Sequence, residues 1–109
     1  MRIVTLSERK AAEADRRTRA VADLRGVLAA YARAHGGRFL LFGSAARLAM
    51  RYHSDVDILV DFPDESLRDA WRFAERACWD RTLEPDIMPY AWCSEAFLQH
   101  VAPDLEALR

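Results

Sequence analysis

A chain of 109 residues, 51% of them hydrophobic and with a formal net charge of −1, fits one domain with a buried core. That charge balance excludes a strong non-specific pull on nucleic acid or on an anionic membrane surface. No run approaches the ~20 apolar residues that a spanning helix needs, and the opening MRIVTLSERK reaches its charges too soon for a signal peptide. The expected location is the cytoplasm. Residues 1–35 carry eight basic and four acidic side chains, and residues 36–109 carry eight and thirteen. The acidic surplus suits cation binding, and it suits an ordinary charged surface equally well. Cys78 and Cys93 match no metal or redox spacing, and both read as small hydrophobes in a reducing compartment.

Residues 7 to about 35 read as a helix, with Ser7 as N-cap. Val21, Leu24, Leu28, Tyr31 and His35 recur at intervals of three and four and form its apolar stripe. The stretch from Glu8 to Arg19 is mostly charged and reads as a solvent-facing first half, or as a surface offered to a partner. Gly36-Gly37 stops the helix. Arg38 to Phe42 is an apolar run that suits a central strand covered on both faces. Ala45 to about Arg51 reads as a short helix, and Asp55 to Phe62 as a second strand rich in Val and Ile. Ser66 is expected to open another long helix, burying Leu67, Ala70, Trp71, Ala74, Ala77 and Cys78. Leu83 to Tyr90 reads as an edge strand, because Pro85 and Pro89 cannot donate to a ladder. A closing helix over residues 94–109 turns Phe97, Leu98 and Val101 inward and is broken or kinked at Pro103. The order α-β-α-β-α-β-α predicts an α/β (α+β) fold in which a small mixed sheet of about three strands is flanked by helices. It forms a single domain over 1–109, with its core at 38–90.

The chemistry concentrates between Phe39 and Phe62, where the pattern is GS-x10-DxD. Strand side chains alternate faces, so Asp55 and Asp57 share one face while Val56, Ile58, Val60 and Phe62 take the other. The apolar set must face the core, which leaves the two aspartates on the more open side. Carboxylates this close raise each other's pKa unless a cation intervenes. Mg²⁺ is the natural cation, since it takes one or two carboxylates together with phosphate oxygens. Gly43 at a strand-to-helix turn allows close backbone approach to a ligand, and Ser44 adds a hydroxyl. A phosphate cradle and a metal-binding pair on adjacent elements are what nucleoside triphosphate chemistry requires. Asp61 lies ~13 Å along the strand from Asp57 and reads as solvated. His53 reads as a loop residue, His35 and His100 as helix-face residues, and Trp71, Trp79 and Trp92 as packing residues.

GSAAR followed by SDVDILV resembles the minimal nucleotidyltransferases, small members of the DNA polymerase β-like superfamily. The resemblance rests on Gly43, Ser44, Ala46, Arg47, Ser54, Asp55, Asp57 and Val60, and covers roughly residues 36–90. Leu48 stands where the family has Gly, and Ile58 where it has Leu. The resemblance implies a nucleotidyltransferase-like fold and a third acidic residue on a later strand. Asp86 in LEPDIMPY fits that position, with Glu84 as the alternative. It further implies that Asp55, Asp57 and Asp86 are catalytic and bind one or two Mg²⁺ ions. Gly43, Ser44 and Arg47 would then hold the nucleotide phosphates.

The family's minimal members are commonly paired with a HEPN-domain RNase toxin, and some act as its antitoxin by transferring AMP to a tyrosine. The resemblance therefore implies transfer of a nucleoside monophosphate, AMP from ATP, to a hydroxyl of such a partner protein. Only 23 residues follow Asp86, which also directs the expectation toward an acceptor that brings its own surface rather than toward nucleic acid. The competing readings are a catalytically idle antitoxin and a nucleotide- or metal-binding module that acts by binding alone.

Overall fold

The computed structural model describes residues 3–46 and 55–109. Helix α1 (Leu6–His35) is capped by Thr5, whose side chain accepts from the Glu8 amide at 3.1 Å. The cap is thus Thr5 rather than Ser7, two residues earlier than the sequence suggests. Gly36 ends the helix in the left-handed region (φ 74°) and returns its N–H to Ala32, a conformation that favours glycine. Strand β1 (Arg38–Phe42) follows, then helix α2, described over Gly43–Ala46, β2 (Val56–Asp61), α3 (Asp64–Asp80) and β3 (Pro85–Pro89); residues 47–51 of the short helix expected there lie outside the described residues. A 3-10 turn at Tyr90–Trp92 leads to α4 (Glu95–Val101), and a second at Ala102–Asp104 leads to β4 (Glu106–Leu108).

The four strands lie in the order β3-β2-β1-β4. β1 pairs antiparallel with β2 and with β4, and β2 pairs parallel with β3. This mixed sheet with flanking helices is the predicted architecture, with one correction. The closing helix stops at Val101, and residues 106–108 form a fourth strand against β1. That strand makes β1 central, as its apolar run requires, with Phe39, Leu40 and Leu41 at most 4% exposed. β3 sits at the sheet edge, where its terminal prolines cost no ladder bond. α3 forms the crossover between the parallel strands β2 and β3, and it begins at Asp64 rather than Ser66.

The core lies between one sheet face and helices α1 and α3. Phe39 and Leu41 meet Val56, Ile58, Val60 and Phe62 there, against Val21, Leu24 and Leu28 of α1 and Ala70, Ala74 and Cys78 of α3. Small alanines on α3 let the helix approach the sheet closely. On the second face Leu40 and Leu59 are buried, and Phe97 of α4 meets Phe42 edge-on at 5.7 Å. The first half of α1 is not wholly solvent-facing. Arg16 donates to the carbonyls of Arg81 (2.8 Å) and Thr82 (2.7 Å), while Arg17 is buried. These arginines dock the helix onto the turn between α3 and β3, where Thr82 takes a positive φ of 53°. The Arg16 hydrogen bonds, joined by those of Arg17, hold the Glu13 carboxyl down at about 2.

Two glycines give opposite expectations. An added Cβ at exposed Gly26, within α1, meets nothing within 4 Å, so Gly26→Ala should stabilise by ~0.5–1 kcal/mol through helix propensity. A Cβ at Gly37 would land on the ring of Phe62, which also packs on Phe39 at 4.9 Å, so Gly37→Ala should cost ~1–3 kcal/mol through overpacking. Urea denaturation of the two variants measures both, and shifts of the same sign would contradict this description of the core.

Candidate active site

The second face of β2 carries Asp57, Leu59 and Asp61, opposite the wholly buried Val56, Ile58 and Val60. The alternation expected from the sequence is therefore present, although Leu59 on the open side is itself buried. Asp55 is exposed and immediately precedes the strand. Asp61 is not merely solvated, for Arg38 directly across the ladder donates to its carboxylate at 2.7 Å. The Arg38 guanidinium in turn lies over the Tyr90 ring. Asp61 thus belongs to a cross-strand ion pair at the far end of the sheet.

Asp57 sits in different surroundings. In the antiparallel ladder it faces Phe42, the last residue before Gly43. Gly43 has a φ of 70°, and a Cβ built on it would lie 2.6 Å from Asp57 Oδ2. Any L-side chain there would meet both an unfavourable backbone and the carboxylate itself. On its other side Asp57 pairs in parallel register with Asp86 of β3. The Val56 amide donates to the Glu84 carbonyl at 2.8 Å, and that bond starts the ladder in the register that sets the two aspartates side by side. Glu84, the alternative third acid, is turned to α1, with its carboxylate 3.8 Å from buried Arg17. Sequence reading passed over Arg17. Its signal was its place four residues before Val21, on the same apolar stripe.

Burial pushes the Asp57 carboxyl up from its ordinary 3.8 to about 6, helped by the nearby charges of Asp86 and Asp55 and a hydrogen bond with Asp86. Ser44 follows Gly43 in α2 and is half-buried. Arg25 reaches the same turn from α1 and donates to the Ala45 carbonyl at 2.7 Å; it was not singled out in the sequence. Gly43, Ser44, Asp57 and Asp86 are thus brought to one end of the sheet, with Asp55 at its margin. Arg47, Leu48, His53 and Ser54 lie outside the described residues.

Residues 24–100 match the model of the nucleotidyltransferase domain. The chain belongs to the nucleotidyltransferase domain family. No curated protein and no solved structure is similar enough to match it. The domain is that of a transferase of nucleotidyl groups, and the matched span runs from the middle of α1 to the end of α4, so it includes the whole carboxylate cluster. Among the described residues no helix is long and apolar enough to cross a membrane. Among them, too, no group of three or more His, Cys, Asp or Glu is gathered as a metal site. The donors at the cluster are nonetheless hard carboxylate oxygens, which fit Mg²⁺, an ion that usually keeps several waters and completes its shell on substrate phosphates.

The raised Asp57 pKa has a definite consequence for stability. Below about pH 4 the carboxyl is protonated in the folded and unfolded chain alike. Between 3.8 and about 6 the folded chain keeps a proton that the unfolded chain has lost, so stability from this group falls as pH rises through that window. Above it, the cost of an ionised Asp57 is fully present. In the absence of divalent cations Asp57→Asn should therefore gain ~1–2 kcal/mol over the wild type between pH 4 and pH 7.5, allowing for solvent screening of this half-buried group. Urea denaturation at the two pH values measures the gain, and a wild-type-minus-variant difference independent of pH would contradict it.

Proposed function

We propose that this nucleotidyltransferase is Mg²⁺-dependent, takes ATP, and transfers AMP to a hydroxyl of a partner protein. We further propose that the partner is a HEPN-domain RNase toxin, which makes the chain an antitoxin. The observation that carries the catalytic reading is the pair Asp57 and Asp86, seated in register against a glycine that leaves room for a carboxylate. The partner reading rests on the likeness of GSAAR…SDVDILV to the minimal nucleotidyltransferases.

In this reading Asp55, Asp57 and Asp86 would hold the ion, and Gly43, Ser44 and Arg47 would bind the triphosphate. Bound Mg²⁺ would neutralise the phosphate oxygens on which charge develops during displacement. The acceptor hydroxyl oxygen attacks the α-phosphorus, and the bond from that phosphorus to the bridging oxygen breaks. Pyrophosphate leaves with the bond's electron pair. Asp86 accepts the hydroxyl proton, a role consistent with its exposed position beside Asp57. Asp57, backed by Gly43, stays on the side of the phosphates.

The competing reading is an antitoxin that acts by binding alone. One experiment separates the two. Incubated with α-labelled ATP, Mg²⁺ and a candidate HEPN protein, the wild type should label that protein and suppress its RNase activity. Asp57→Asn should do neither, with transfer reduced at least ~100-fold, as for loss of a group that acts on the reacting atoms. Absence of label with the wild type, together with RNase inhibition that persists in Asp57→Asn, would overturn the catalytic reading in favour of binding alone.

A further inference from the structure

One side chain outside the carboxylate cluster ties two elements, α1 and β4, to the turn that backs it. Arg25 lies on α1. Its Nη2 donates to the Ala45 carbonyl at 2.7 Å, and its Nε donates to Glu106 Oε1 of β4, also at 2.7 Å. Its side chain is 19% exposed and that of Glu106 38%, while Ala45 is fully buried. As a mere ion pair, Arg25 and Glu106 would contribute little in so open a setting. The bond to Ala45 is what sets this arginine apart. A guanidinium gripped by a carboxylate on one edge presents its other N–H groups in a fixed plane. Here that plane meets a backbone carbonyl within Gly43–Ala46, the turn whose first residue abuts Asp57. A side chain at Gly43 would collide with the Asp57 carboxylate, so the turn passes close beside β2 and its position bears directly on the space around Asp57.

We propose that Arg25 is a positioning residue for nucleotidyl transfer, oriented by Glu106, and that it holds the Gly43–Ala46 turn at the distance from Asp57 at which nucleotide phosphates bind. The phosphate-binding part rests on the function proposed above. Lysine keeps the charge at this position but is a single-point donor that cannot serve the carbonyl and the carboxylate in one plane. Arg25→Lys and Glu106→Gln are therefore the informative variants, and neither removes a core side chain.

The test has two independent arms on the full chain. In the first, without ligand, carbon-detected NMR compares wild type, Arg25→Lys and Glu106→Gln. The expected changes are confined to the Ala45 carbonyl carbon, the Gly43 and Ser44 amides and the Asp57 carboxyl carbon, while the resonances of Phe39, Leu41 and Ile58 hold. In the second, calorimetric titration with MgATP should give a dissociation constant ~10-fold weaker in Arg25→Lys, the effect of one hydrogen bond to a charged donor, at a nearly unchanged melting temperature. Combined with Asp57→Asn, the same change should cost much less than it does alone, because coupled sites are not additive. Unchanged resonances at Gly43–Ala46 and Asp57 would overturn the proposal. So would an affinity that falls only in step with the melting temperature, or full additivity with Asp57→Asn. A wild type that binds no MgATP would count against the proposed function, and the ligand-free arm would still decide whether Arg25 positions the turn.

Discussion

Gly43 has no side chain at the place where Asp57 has its carboxylate. That exclusion, a built Cβ 2.6 Å from Oδ2 on a residue with φ of 70°, is the contact on which the candidate site depends. The antiparallel register of β1 and β2 brings Asp57 opposite Phe42, so the chain must turn at the next residue, directly over the carboxylate. The parallel register of β2 and β3 then adds Asp86 from the other side. Three backbone decisions, two registers and one left-handed turn, thus crowd the acids together. The buried faces of β1, β2, α1 and α3 hold those decisions in place, because a one-residue slip would turn the Val56, Ile58 and Val60 set out of the core.

The same face of β2 offers its own comparison. Asp61 and Asp57 stand four residues apart on one strand, yet their surroundings are opposite. Asp61 meets the Arg38 guanidinium at 2.7 Å, an ordinary way to settle a cross-strand charge. Asp57 meets two further acids and a glycine, and its carboxyl rises to about 6. A sequence selected for stability alone would neutralise this position as it does Asp61. Violations of local consistency of this kind are expected where a site must bind something. Membership of the nucleotidyltransferase domain family gives the violation a chemical sense, since nucleotide phosphates bring both negative charge and the cations that accompany it.

Much of this was legible in the residues. The alternation from Val56 to Phe62 fixes which face of β2 is core, and GS after an apolar strand marks the turn. The prolines at 85 and 89 mark the edge strand, while Asp86 was reached through the resemblance to the minimal nucleotidyltransferases, with Glu84 as the alternative; the register beside Asp57 is a finding of the structure. What was not legible has physical reasons. β4 is only three residues long, Glu106–Leu108, too short for a period of two to declare itself, and its existence is a matter of closing β1's open edge. Thr5 caps α1 in place of Ser7, and since both residue types are good caps the sequence alone does not choose between them. Arg17 falls in a stretch that reads as solvent-facing, and neither Arg25 nor Arg38 stands out in the sequence, whereas each pairs with residues distant in sequence. A helical periodicity scored on hydrophobicity alone misses an arginine whose stem lies on the apolar stripe and whose head finds a carboxylate or a carbonyl.

The central claim is that Asp57 and Asp86 form one electrostatic unit, pressed against Gly43. Carboxyl-carbon NMR of Asp57 through a pH titration, in the absence of divalent cations, tests it most directly. The wild type should titrate near 6. In Asp86→Asn the value should fall, though not to 3.8, because burial is the larger cause and remains. An Asp57 that titrates in the ordinary carboxylate range in the wild type, or one whose titration is indifferent to Asp86→Asn, would contradict the account.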